Sequence, residues 1–337
     1  MSIQNPLFPP FKKLSITDGE AQTLLGPLFD MVGKWTNHPG QGWNIIAVPG
    51  PVTPEYPNLF QAPGFILEVI PYIETTTFEP ISVTLNRGQF LGGNPEEIQQ
   101  VGAILYEQRI KSAGAYGANE KYKKDIENFF KERGFPEGQA IHAEQGMILN
   151  ISNFNMYGDQ ELQIARMGTI PHGNAMLCLG GAKATTSPDI DQNVSAKPFT
   201  VDPARAKELG NGYGEGQYNP IPDLFTGFYQ SQPNKILGQA NGSKEFISSN
   251  HLNLSTENGT GGLLSIPFLG GGLDGTKLDT TKMTVDYWIS KYKTNDGKEQ
   301  LQLQYSQNIS IVFPESKKPD LPIVWPHFGV NTMYKID

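Results

Sequence analysis

The sequence feature that most constrains the fold is a strict alternation of apolar and polar residues near the C-terminus. Between residues 299 and 313, one face carries Leu301, Leu303, Tyr305, Ile309, Ile311 and Phe313, and the other carries Gln302, Gln304, Ser306, Asn308 and Ser310. A period of two residues predicts an antiparallel strand with one buried face. Residues 283–289 largely alternate as well, and the Asp296-Gly297 step between the two runs is typical of a tight turn. We therefore predict a β-hairpin here.

The rest of the chain favours further strands over a helix bundle. Its 337 residues include 37 Gly and 26 Pro, which punctuate the sequence with turns. We predict additional strands at 43–48, 64–73, 75–85, 101–110, 141–151, 160–170, 174–179 and 331–336. The 101–110 segment could instead be helical, because Pro95-Glu96-Glu97 resembles a helix start, but alternation in its second half favours a strand. Helices are predicted only at 18–32 and 119–133, from apolar residues at helical spacing.

Residues 183–262 differ from the rest, because Asn-Gly and Gly-Gly steps, Ser and Pro dominate there. We interpret this stretch as a loop-rich insertion within a single elaborated domain that spans 1–337. It could carry a short helix at 203–209, and it either folds over the barrel mouth as a lid or contains unrecognised strands. A structureless loop of this length is uncommon inside a compact domain. The predicted class is all-β and mainly antiparallel.

Composition excludes several functions. The net charge of −8 and the pI near 5.2 leave no basic stripe for nucleic acid. No apolar run approaches the roughly 20 residues that span a bilayer, and no signal peptide begins the sequence, so we predict a cytoplasmic protein. The single cysteine, Cys178, lies in an apolar run and is expected to be a buried small residue. No metalloprotease, phosphate-loop or nucleophile-elbow motif is present, and nothing indicates the oligomeric state.

The candidate residues for catalysis or ligand binding include a few of the five histidines. On a strand over 141–151, His142 and Glu144 share one face, and such a pair can position a proton. Because the other face is apolar, the alternation favours placing this pair toward solvent. His172 follows Pro171 at a strand start, edge or bulge, where an imidazole could bind a ligand or a metal. Arg166 could balance a carboxylate or propionate of a ligand.

A resemblance adds to these predictions. The helix of 18–32 leads into Gly33-Lys34-Trp35 and then a glycine-rich run ending at Trp43, which resembles the opening of lipocalins, fatty-acid-binding proteins and other calycin barrels. His142, Glu144 and Gly146 form a His-x-Glu-x-Gly pattern similar to one in nitrobindin-like haem-binding β-barrels. The resemblance implies an up-and-down β-barrel whose closed end is plugged by Trp35. The spacing after Trp35 and the 183–262 insertion depart from this pattern.

The resemblance also implies a cofactor. In nitrobindin-like barrels a histidine near the C-terminus holds haem iron, and the corresponding residue here is His327, between Pro326 and Phe328. His172 is the alternative iron ligand, and Trp43 is a candidate residue of the barrel lining.

Three functions remain open from the sequence. The leading hypothesis is a barrel that binds an apolar or amphipathic small molecule, and haem is the most specific candidate for that ligand. The second is an enzyme, either with peroxidase-like haem or with acid–base chemistry at His142 and Glu144 or at His172. The third is a structural or protein-binding β module.

Overall fold

A computed structural model describes residues 19–49, 61–62, 65–83, 100–154, 162–170, 173–197, 224–228, 232–265, 279–315 and 318–336. In these ranges, one sheet contains β1 (Gly33–Asn37), β2 (Gly42–Pro49), β3 (Gln61–Ala62), β4 (Phe65–Val83), β5 (Val101–Ser112), β6 (Ala140–Ile151), β7 (Ile164–Ile170), β8 (Asn174–Thr185), β9 (Glu245–Ser255), β10 (Gly262–Ser265), β11 (Asp279–Lys293), β12 (Glu299–Glu315) and β13 (Lys318–Lys335). The helices are α1 (Gly19–Leu25), a 3₁₀ helix (Gly26–Met31), α2 (Lys123–Glu132) and α3 (Lys235–Asn241).

The sheet closes into an up-and-down barrel. Strands β4 to β9, and then β11 to β13, pair antiparallel with their neighbours in chain order. β1 and β2 lie one after the other between β4 and β13 and pair with both, which completes a ring of ten strand positions. Short β3 and β10 add to β4 and β8. The predicted all-β antiparallel barrel is therefore confirmed.

Several predicted elements are confirmed with altered bounds. The hairpin between β11 and β12 turns where the Thr294 amide donates to the Lys298 carbonyl over 2.8 Å, with Gly297 at a φ of 78°. The segments predicted at 64–73 and 75–85 form one continuous strand, β4, and 101–110 belongs to a strand throughout.

One end of the barrel is capped by α1 and the 3₁₀ helix. The Asn150 side-chain amide donates to the Leu24 carbonyl over 2.9 Å, and a Cβ at Gly102 would collide with that same carbonyl. Trp35 is fully buried, and its indole N–H donates to the Met31 carbonyl over 2.6 Å. These contacts hold the helical segment directly against β5 and β6.

The 183–262 segment contributes to the barrel itself. It contains the last residues of β8, all of β9 and α3, while the helix predicted at 203–209 lies outside the described residues. Segment 234–241, which includes α3, covers the polar face of β12. There Gln304 donates to the Leu237 carbonyl over 2.9 Å, and Ser306 donates to Asn234 over 2.7 Å. Both faces of β12 are therefore buried, although alternation predicts only one.

No helix in the described part of the chain is long and apolar enough to cross a membrane.

Candidate functional site

The barrel encloses a cavity of about 770 Å³ at the end opposite α1. Its apolar wall, within the described ranges, consists of Ile46, Ile70, Ile110, Phe135, Ala140, Ile141, Ile170, Leu263, Ile309 and Ile311. Its polar floor consists of Tyr72, Gln108, Tyr305 and Gln307. A mostly apolar, concave site of this size with a few polar groups is typical of a small-molecule site.

The residues of strand β6 that the alternation assigned to solvent face the barrel interior instead. Glu144 is 2 % exposed and Ile148 is fully buried, whereas Met147 and Leu149 on the opposite face are partly exposed. The prediction that His142 and Glu144 face solvent is therefore wrong. Alternation separates the two faces of a strand but does not identify the inner one when a counter-charge makes the interior polar.

Arg166 on β7 supplies that counter-charge. Its Nη2 donates to Glu144 Oε1 over 2.7 Å, and its Nη1 donates to Gln307 over 2.9 Å. The Tyr106 hydroxyl on β5 donates to the same Glu144 oxygen. Burial alone would raise the pKa of Glu144, but the positive charge of Arg166 and hydrogen bonds from His142, Tyr106 and Arg166 lower it to about 2. Glu144 is consequently a fixed, buried negative charge.

His142 lies between this cluster and the cavity. Its imidazole lines the cavity, and its Nε2 lies 3.6 Å from Glu144 Oε2. A carboxylate held in place by Arg166 and Tyr106 can orient the imidazole. The arrangement is chemically suited to proton transfer with a molecule in the cavity.

Beneath the floor lies a second buried carboxylate, that of Glu74 on β4. Thr76 and Gln108 donate to its Oε1 over 2.6 and 2.8 Å. Tyr305 and Asn331 donate to its Oε2 over 2.5 and 2.9 Å. Sequence reasoning missed Glu74, since its partners lie on four strands. The available signal was a lone acidic residue in phase with Tyr72 and Thr76.

The two floor tyrosines are coupled to each other and to Glu74. The hydroxyls of Tyr72 and Tyr305 lie 2.8 Å apart. Burial, and then the negative charge of Glu74, raise the pKa of both phenols well above their usual value. Both side chains therefore present neutral hydroxyl groups to the cavity.

One of the two candidate iron ligands lies at the cavity. His327 lines it and is half-buried, with Nε2 2.7 Å from Asn44 Oδ1. His172 lies outside the described residues. His251 is half-buried between Asp189 and Asp286 and does not line the cavity.

Two other candidate residues have different positions from those predicted. Trp43 lies on the face of β2 opposite Asn44 and stacks on Phe228 with ring centroids 4.5 Å apart, so it does not line the cavity. Arg166 is 2 % exposed and engaged by protein partners, so it is not placed to balance a carboxylate in the cavity. Cys178 is buried as predicted, and burial raises the pKa of its thiol to about 11.

The cavity lining carries little charge. Among its described residues, the ionisable groups besides the two tyrosines are His142, His327 and Glu68, and there is no Lys or Arg. Glu68 accepts from Arg133 Nε over 2.6 Å. Burial raises the pKa of Glu68 despite this ion pair. No cluster of three potential metal-ligating side chains occurs in the described ranges.

No family model, curated protein or solved structure matches the chain. The calycin-like and nitrobindin-like resemblance stays a prediction, since a β-barrel is shared by many families.

Proposed function

We propose that this protein binds an apolar or amphipathic small molecule inside its barrel. The observation that carries the proposal is the cavity of about 770 Å³, with an apolar wall above a polar floor. A ligand would lay its apolar part against the isoleucines and direct its polar end to the floor. Burial of apolar area contributes about 25 cal/mol per Å², and the floor hydroxyls and amides fix orientation.

A cavity-filling substitution tests this proposal. Ile110 on β5 lines the cavity, and Ile110→Trp would occupy space that the ligand needs. We expect the affinity for the uncharged fluorophore N-phenyl-1-naphthylamine to fall by about 10-fold or more, measured by fluorescence titration.

The matched control lies on the outer face of the same strand. Arg109 is largely exposed, so Arg109→Trp adds the same side chain outside the barrel. Equal loss of binding in both variants, or no binding of any apolar probe by the wild type, would exclude cavity binding.

The second candidate function is acid–base catalysis in the cavity, favoured by the contact between His142 and Glu144. A general test is the elimination reaction of 5-nitrobenzisoxazole, in which a base removes the ring C–H proton, the N–O bond breaks and a nitrile and a phenolate form. We expect turnover that His142→Gln abolishes and that follows the titration of one group in the pH–rate profile. Turnover unchanged in His142→Gln would exclude His142 as the base.

Haem fits this site only in part. His327 lines the cavity and would be the residue to hold iron, since a hydrogen bond such as that to Asn44 commonly orients a ligating imidazole. The propionates, however, would meet no Lys or Arg among the described lining residues. A hemin titration decides, because iron ligation shifts the Soret band and His327→Ala would remove that shift. The control is His38→Ala, which changes an exposed histidine outside the cavity and should leave the shift in place.

A further inference from the structure

The charges around the cavity floor do not sum to zero. Two carboxylates have cationic partners, since Glu144 pairs with Arg166 and Glu68 pairs with Arg133. Glu74 is 1 % exposed, and its four donors are all uncharged. With two donors at each oxygen, the arrangement suits the ionised, acceptor-only form of the carboxyl group. One negative charge therefore lies uncompensated beneath the floor, as far as the described residues show.

One hydrogen-bond acceptor next to Glu74 is also unused. Asn331 Oδ1 is buried and has no hydrogen-bond partner among the described residues. The side-chain amide of Asn331 donates its N–H to Glu74, and this hydrogen bond fixes the orientation of the amide. The amide oxygen therefore points away from Glu74. A buried acceptor without a partner costs free energy unless a donor reaches it. Asn331 does not line the cavity, so this oxygen adds to the negative potential beneath the floor without contacting a ligand directly.

The floor itself suits a cation. Tyr72 and Tyr305 line the cavity with aromatic rings and hydroxyl oxygens, and both attract a positive group. The Tyr305 hydroxyl contacts Glu74 directly, so a cation on the floor is separated from that carboxylate by a single side chain. At such a distance in a partly buried site, one unit charge changes affinity by a factor on the order of 10.

We propose that the ligand is an amphipathic amine whose protonated nitrogen binds at Tyr72, Tyr305 and Gln108, above Glu74, with its apolar part against the isoleucine wall. The inference rests on the proposed function, since it assumes that the cavity binds a ligand. An ammonium group brings the positive charge that the floor lacks, together with N–H donors for the hydroxyl and amide oxygens of the floor. A carboxylate ligand would bring neither.

Three ligands that differ only in their polar end test the inference. Decylamine, decan-1-ol and decanoate would compete with N-phenyl-1-naphthylamine at pH 8, where an alkylamine is charged and free imidazole is mostly neutral. We expect decylamine to displace the fluorophore at a concentration about 10-fold or more below that of decanoate, with decan-1-ol between them.

Glu74→Gln then assigns the preference to one residue. We expect the affinity ratio of decylamine to decan-1-ol to fall about 10-fold, with the affinity for decan-1-ol unchanged. The control is Glu79→Gln, which removes an exposed carboxylate from the same strand and should alter none of the three affinities.

Each outcome separates the two proposals. Binding of decan-1-ol with no preference for decylamine overturns the amine inference and leaves cavity binding intact. Failure of all three ligands and of the fluorophore to bind overturns cavity binding. A preference for decylamine that survives in folded Glu74→Gln overturns the role of Glu74. If circular dichroism shows that this variant does not fold, the wild-type series alone decides.

Discussion

At the scale of single residues, the buried Glu144–Arg166 pair determines how the interior responds to mutation and to pH. Both side chains are almost inaccessible, at 0 % and 2 % exposure. Removing one member of such a pair leaves the other charge buried without a partner, which costs far more than breaking an exposed pair.

Glu144→Gln is therefore expected to lower the free energy of unfolding by about 3–5 kcal/mol, because Arg166 keeps its charge in the interior. Urea denaturation at pH 7 measures the change. Glu107→Gln breaks the exposed pair with Arg109 on the outside of β5 and should cost at most about 1 kcal/mol. Similar losses in the two variants would contradict a special role for the buried pair.

Acid should destabilise the wild type through the same carboxylate. The pKa of Glu144 falls from an ordinary 4.5 to about 2 on folding, so its contribution is complete above pH 4.5 and is lost as pH falls toward 2. At 1.36 kcal/mol per unit, this contribution is about 3 kcal/mol. Urea midpoints between pH 5 and pH 2 should therefore decline less steeply in Glu144→Gln than in the wild type. Parallel declines would show that other groups dominate acid unfolding.

At the scale of elements, alternation predicted β11, β12 and their hairpin well, because those strands bury apolar residues toward the interior. It failed on the orientation of β6, where Glu144 faces in and Met147 faces out. The alternation also failed to predict β9. The inward-facing residues Leu252 and Leu254 follow a polar run, Ser248, Ser249 and Asn250, which hides the apolar pattern of the strand.

The candidate site was predictable only in fragments. His142, Glu144 and His327 were singled out from the sequence, and the structure places His142 and His327 at one cavity with Glu144 beneath His142. Glu74 and Tyr305 were not singled out as site residues, because the contact between them joins residues that are 231 positions apart in the sequence. Such a pairing follows from closing the sheet, which no local pattern encodes.

The packing of β6 against β7 and β5 depends on a glycine. A Cβ at Gly146 would collide with the Met167 carbonyl and would lie 2.7 Å from the Tyr106 hydroxyl. We expect Gly146→Ala to lower the free energy of unfolding by about 1–3 kcal/mol, measured by thermal and urea unfolding. Gly262→Ala on β10 is the control, since a Cβ there meets nothing within 4 Å and should change stability by at most about 0.5 kcal/mol. Equal effects would contradict a steric cause.

At the scale of the whole molecule, the ring depends on pairing strands from opposite ends of the described chain. Trp35 on β1 lies opposite Lys335 on β13, and Ile45 on β2 lies opposite Phe328. Long-range pairing of this kind slows folding, because the intervening chain must be ordered before the ring closes.

Removing residues 318–337 should therefore leave β12, β1 and β2 with unpaired edges. We expect the shortened protein to aggregate, as measured by size-exclusion chromatography with light scattering, because exposed strand edges pair with other chains. Removal of residue 337 alone serves as the control and should leave the elution unchanged. A monomeric, cooperatively melting protein without β13 would contradict the need for closure.

Glu74 accepts hydrogen bonds from β4, β5, β12 and β13, and one of those partners lies 257 residues away in the sequence. A single carboxylate is thus hydrogen-bonded to residues on four strands of the ring. Backbone amides in these strands should exchange their hydrogens with solvent as one cooperative unit. A ligand bound above Glu74 would then slow the exchange of backbone amides well beyond the residues that it contacts. Hydrogen exchange measured along β13 would therefore report whether a ligand occupies the cavity floor, although that floor consists largely of residues from β4 and β12.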